Sequence, residues 1–175
     1  TYYSNNALIA NNMIYDMQGD GWTNITSSSM AGIVISYSNK NKVYFNSVNL
    51  FGNYNRSSAT VTSAFFADAN SLDLDVRNNI FANSMINTSN TGAKAYAIYS
   101  LASPSAYTYL DYNDYYVSGL PGVLGYFNSA DQTTLASLRA ATGKDVHSIN
   151  IDPEFTSNTD LHTSNADLSS MGTPI

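Results

Sequence analysis

One pattern recurs four times along the 175-residue chain and limits what it can fold into: an asparagine, a small polar residue, then a run of apolar, β-forming residues. The copies lie at 10–16, 45–51, 77–83 and 112–118. Their leading asparagines, Asn11, Asn46, Asn78 and Asn113, stand 35, 32 and 35 residues apart. A second repeat, a small residue opening an apolar run, starts at Gly32, Ala64 and Ala97, in steps of 32 and 33 residues. Strands repeated at a fixed period, none able to bury its apolar face alone, stack unit upon unit. With no helical periodicity between them, they predict a parallel β-solenoid rather than a βαβ sheet.

The asparagines have a physical role in such a fold. At a corner between strands the backbone leaves β geometry, and Asn tolerates the left-handed region better than other non-glycine residues. Stacked coil on coil, the amides of Asn11, Asn46, Asn78 and Asn113 are expected to hydrogen-bond along the axis as a structural ladder. Alternation over 72–76 places Leu72, Leu74 and Val76 inward and Asp73 and Asp75 outward. The composition suits this fold: charged residues are only 11%, and 14 tyrosines accompany many Asn, Ser and Thr.

The last third changes character. Residues 131–142 read as a helix capped by Asp131, with Leu135, Leu138 and Ala141 or Thr142 on one face and Gly143 at its C-terminus. A short strand at 148–151 stops at Pro153, and a polar tail follows. Residues 1–130 are therefore expected to form the solenoid coils, and 131–175 a helix, last strand and capping tail of the same domain. Nothing before Ala7 reads as a cap. The first coil is thus expected to end open, either continuing a longer β-helix or docking on another chain.

The Asn-Asn-Ile-Phe-x-Asn run at 78–83, the Asp-Tyr-Asn-Asp-Tyr-Tyr run at 111–116 and the segment 134–148 resemble right-handed parallel β-helix domains of the pectate-lyase-like class. The segments 152–155, 160–162 and 172–175 are similar to the closing part of such domains in large secreted or surface proteins of the Bacteroidota type. Asn165-Ala166-Asp167 departs from the Ser-Pro found there. The resemblance implies an all-β, right-handed parallel β-helix of about four rungs with a short C-terminal helix, on a cell surface or outside the cell. It does not specify an activity, because such folds serve as lyases, hydrolases, epimerases, adhesins and inert stalks.

Candidate chemistry is sparse. Asp73, Asp75 and Arg77 share one strand face, and with Asp111 and Asp114 one coil on they form a carboxylate patch for Ca²⁺ or a sugar. The competing reading is a solvated face whose charges discourage edge pairing. His147 and His162, with Asp145 and Asp160, lack the spacing of a zinc site. Trp22, Tyr37, Tyr54 and Tyr126, placed in loops or outward, have flat rings suited to stacking on sugars. A net charge of −6 disfavours nucleic acid, no run is long enough to span a membrane, and the absence of Cys excludes thiolate chemistry. Two functions remain. One is a non-catalytic structural or adhesive module that meets other coils or copies end to end, with no cofactor. The other is a polysaccharide lyase, hydrolase or binding domain that uses the Asp73–Arg77 face.

Overall fold

The chain winds as a parallel β-solenoid of about three turns in this computed structural model, which describes residues 3–20, 30–119 and 122–175. The first pass lays down β1 (Leu8–Ala10), β2 (Met13–Tyr15) and β3 (Met30–Ile35). The second gives β4 (Lys42–Tyr44), β5 (Ser47–Leu50), β6 (Asn53–Tyr54) and β7 (Val61–Ala67). The third gives β8 (Leu74–Arg77), β9 (Ile80–Asn83), β10 (Ile86–Asn87) and β11 (Lys94–Ser100). Last come β12 (Tyr107–Asp111), β13 (Asp114–Val117), β14 (Gly122–Phe127), β15 (Ala130–Gln132) and the helix α1 (Leu135–Thr142). Four parallel stacks result, β1-β4-β8-β12, β2-β5-β9-β13, β3-β7-β11-β14 and the short β6-β10, with β15 antiparallel on β14. Leu8 lies beside Lys42 and Lys42 beside Asp75, so one turn takes 34 or 33 residues.

Period-2 alternation then aligns like with like through the core. Ile9, Val43, Val76 and Leu110 form one inward row, and Ile14, Val48, Phe81 and Tyr115 another. All but the first-pass members, Ile9 and Ile14, are buried, and the Phe81 and Tyr115 rings stack at 6.1 Å. Each such side chain contributes roughly 1.5–3 kcal/mol on burial, enough to hold corners that are locally unfavourable. Gly32 is required by this packing: a Cβ there would sit 2.4 Å from Val48 Cγ1.

The corners between the first two stacks are built from two consecutive residues with different tasks. The first is left-handed: Asn11 (φ 58°), Phe45 (φ 54°), Asn78 (φ 60°) and Tyr112 (φ 57°). The second carries the ladder. Asn12 Nδ2 donates to Asn46 Oδ1 at 2.8 Å, Asn46 to Asn79 at 2.9 Å and Asn79 to Asn113 at 2.9 Å. Asn46 and Asn113 thus stand in the ladder as expected, whereas Asn11 and Asn78 do not. Where a corner reads Asn-Asn, the leading residue fills the left-handed position, and the amide one residue later faces along the axis. Asn78 has another use, clasping the Thr173 backbone by one donated and one accepted bond of 2.8 and 2.9 Å. At Phe45 and Tyr112 the left-handed conformation costs a non-glycine residue roughly 1–2 kcal/mol, which the ladder bonds offset.

Three further expectations are corrected. Leu72 is 52% exposed, because Asp73 (φ 52°) breaks the alternation just before β8 begins. Asp75 points outward but is only 9% exposed, being covered by its partners. Asp131 does not cap the helix. It belongs to β15 and binds Lys94 and, at 2.8 Å, Tyr96. Thr134 caps α1 instead, in a capping box with Ser137, and left-handed Gly143 (φ 65°) ends it.

The helix seals the far end of the core. Fully buried Leu138 lies over Gly125, where a Cβ would come within 2.9 Å of its Cδ1. The segment expected as a strand pairs through one parallel bridge, Ile149 beside Asp114. There Ser148 Oγ accepts the Asn113 N–H at 3.0 Å and donates to Asp145 at 2.7 Å, which terminates the ladder.

Replacing Asn79 by Ala takes the partner from the Asn46 N–H and the Val43 carbonyl and removes the amide–amide links to Asn46 and Asn113, and should lower stability by on the order of 3 kcal/mol in denaturant titration. Asn78→Ala should cost about 1 kcal/mol and accelerate amide exchange at Thr173 while leaving the ladder amides protected. Equal losses in the two variants would contradict this division of roles.

Candidate functional site

The outward face of the β1-β4-β8-β12 stack holds the expected Asp–Arg patch, and there the charges satisfy one another. Arg77 grips Asp75 with two bonds of 2.7 Å, Tyr44 donates its hydroxyl to Asp75 at 2.6 Å, and the guanidinium lies 4.5 Å over the Tyr109 ring. Burial, then the bond to Asp75, pushes the Tyr44 hydroxyl up to about 12, and the carboxylate raises the Arg77 guanidinium further above its usual range. A carboxylate with both oxygens occupied by a bidentate arginine is a poor acid, base or cation ligand. Asp73 and Asp75 share a shallow depression with Lys40 and Lys42 rather than with other carboxylates.

The other proposed Ca²⁺ ligands have different surroundings. Asp111 accepts the His147 backbone N–H at 2.7 Å and faces the His147 ring at 2.8 Å, while Tyr112 stacks on that ring at 4.6 Å. His162 is paired with Asp160 in an exposed turn of its own. Asp114 is 2% exposed beneath the C-terminal tail. Among the described residues no group of three or more His, Asp or Glu could hold a metal ion.

The four aromatic candidates part company. Tyr54 is buried in the core with its hydroxyl 3.2 Å from Thr60, which removes it as a stacking residue: its strand, β6, turns it inward. Tyr37 is 45% exposed beside Tyr3. Tyr126 extends an outer ring stack, lying 4.4 Å from Tyr99, which in turn stacks on Phe66. Trp22 lies outside the described residues.

Two features have no local signal in the sequence. A cavity of about 550 Å³ opens where the tail folds back over the β5-β9-β13 face. Asn49, Tyr116, Asp152, Glu154, Phe155 and Asn158 line it, and Asn49 reaches the Asn158 carbonyl across 109 residues of sequence. The second feature is a pair of buried carboxyls under the cap, Asp114 and Asp145, each with one oxygen lacking a partner among the described residues. Burial pushes both up to about 7. It prevails over the Ile151 N–H on Asp114 and over the Ser148 and Tyr115 hydroxyls on Asp145.

Compared with protein-family models, with curated proteins and with solved structures, the chain matches none of them. The parallel β-solenoid is read from its own stacked sheets and ladders.

The two raised carboxyls fix a sign for pH dependence. At these two sites the folded chain keeps protons that the unfolded chain releases above 3.8, so their contribution to stability falls as pH rises from there to about 7 and is smallest above that. Asp114→Asn removes the buried charge while keeping an oxygen for the Ile151 N–H. It should add on the order of 2 kcal/mol at pH 8 and almost nothing at pH 4, measured by denaturant titration across that range. A wild-type chain that gains stability from pH 5 to 8 would contradict the assignment.

Proposed function

We propose that this chain is a non-catalytic structural module of an extracellular or cell-surface protein, a right-handed β-helix of the pectate-lyase-like type, whose first coil continues into another asparagine coil. The observation that supports this most is the state of the ladder at its two ends. In the interior each ladder asparagine accepts on Oδ1 from the coil before it, and its Nδ2 donates back to a carbonyl of that coil, as Asn46 does to Ile9. At the first coil Asn12 Oδ1 accepts nothing among the described residues, and Nδ2 turns to its own Ala10 carbonyl. The strands β1, β2 and β3 are all sheet edges, and Leu8, Met13 and Tyr15 are 64, 44 and 40% exposed. A shallow opening of about 360 Å³, lined by Ile9, Ile14, Gly32 and Ile33, exposes the core there among the described residues.

The missing donors and acceptor belong to a coil of the same kind, running in the same direction, with an asparagine stacked above Asn12. The far end of a second copy offers no such coil, because α1 and the 145–151 segment cover it. The alternative, a polysaccharide-active enzyme on the Asp73, Asp75 and Arg77 face, is weakened by the mutual neutralisation of Asp75 and Arg77.

The reading is tested by splicing a duplicate of residues 36–69 directly before Tyr3, which places a second Asn46 one coil ahead of Asn12. The added coil should raise the melting temperature and slow amide exchange in β1 and β2 to the level of β4 and β5. Unchanged exchange in β1 and β2 would overturn the reading, as would a slow exchange already present without the duplicate and lost on dilution, since that would mean pairing between copies.

A further inference from the structure

We infer that the cleft between the β5-β9-β13 face and the C-terminal tail is a binding site for short, hydroxyl-rich saccharides that are neutral or amine-bearing. It begins at Asn49, one coil in from the open first coil, and does not depend on what docks there.

The cavity's size comes first. At about 550 Å³ it falls within the roughly 300–1,000 Å³ of small-molecule sites and is open to solvent. Its walls come next. Asn49 is only 8% exposed, yet its Oδ1 accepts no hydrogen bond among the described residues, and its Nδ2 makes only a long 3.5 Å contact with the Asn158 carbonyl. Asn49 lines the cleft, so a ligand or water entering there can complete the amide's pairing. Opposite it, the exposed Glu154 carboxylate has no partner among the described residues. Asp152, by contrast, is fixed by the Tyr116 hydroxyl and the Glu154 N–H, both at 2.9 Å.

The chemistry of the walls selects the ligand. Amides offer a paired donor and acceptor, carboxylates accept from hydroxyls, and the Tyr116 and Phe155 rings provide flat apolar surfaces between them. A sugar ring, with hydroxyls at its rim and C–H groups on its faces, meets all three demands at once. No Lys, Arg or His lines the cleft, and two carboxylates do. Uronates and sulfated sugars would therefore be repelled, while an amine would gain a charge-assisted bond to Glu154. The sharing of the site between sheet and tail means that the ligand bridges the two, so binding should also slow exchange of the tail amides.

The experiment is a titration of the chain, followed by amide chemical shifts, with three families of tri- and tetrasaccharides: neutral glucans and mannans, chitosan oligomers, and oligogalacturonates. Saturable shifts at Asn49, Tyr116 and Phe155 with the first two families, and none with the third, are expected. Glu154→Gln, on an exposed side chain that leaves the fold intact, should weaken chitosan binding at least tenfold and neutral sugars less. Asn49→Leu should weaken both at least tenfold at an unchanged melting temperature. The inference is overturned by silence from all three families, by preference for oligogalacturonate, or by equal binding of lysine-containing peptides. It is also overturned if Ca²⁺ alone reproduces the shifts. None of these outcomes bears on whether the first coil accepts another.

Discussion

The buried chain of asparagine amides is the constraint on which the rest of the molecule depends. Each amide in the interior of the ladder gives its N–H groups to the next coil and to a carbonyl of the coil before, and takes N–H groups on its oxygen. Such a chain closes only if every turn of the solenoid contains nearly the same number of residues and every corner places its amide at the same height. Register follows from this, and with register comes the alignment of the inward rows. A one-residue slip would break the amide chain and also turn the Val43–Val76–Leu110 row outward. Backbone strain at Phe45 and Tyr112 persists because the ladder and both core rows overdetermine those corners.

A ladder of this kind has no natural end, so each end needs its own treatment. At the far end Ser148 takes the place of an asparagine and donates a hydrogen bond to Asp145, the hairpin β14–β15 turns the sheet edge, and Leu138 closes the core over Gly125. Closing the end in this way buries two carboxyls, Asp114 and Asp145, and burial strengthens their hold on a proton. The first coil has no such device among the described residues and leaves acceptors, donors and apolar side chains in the open. The asymmetry gives the fold a direction, with one end closed and the other presenting open sheet edges among the described residues.

Much of this architecture is legible in the sequence because it repeats. The period of the asparagines, the β-forming runs behind them and the glycine after α1 are local signals, each tied to a backbone conformation or a strand face. What fails is phase and pairing. Asn11 and Asn78 look like ladder residues because Asn suits both the left-handed position and the amide chain. Only the corner geometry separates the two uses. Alternation misplaces Leu72 because a single left-handed residue, Asp73, resets it. Asp75 and Arg77 read as a reactive face from their spacing, yet Tyr44 and Tyr109, which complete and cover the pair, come from the coils on either side.

The sequence by itself determined the solenoid, its period, the β character of its walls and the existence of a distinct closing segment, since these depend on patterns that recur within one turn. The tertiary structure alone decided which asparagine of each pair enters the ladder, which carboxylates are neutralised and which are buried, and that the tail folds back to make a cleft with Asn49. The physical reason is distance along the chain. A conformational preference acts within a few residues, but a hydrogen bond from Asn49 to Asn158, or an arginine closing over a neighbouring coil, exists only once the coils have stacked.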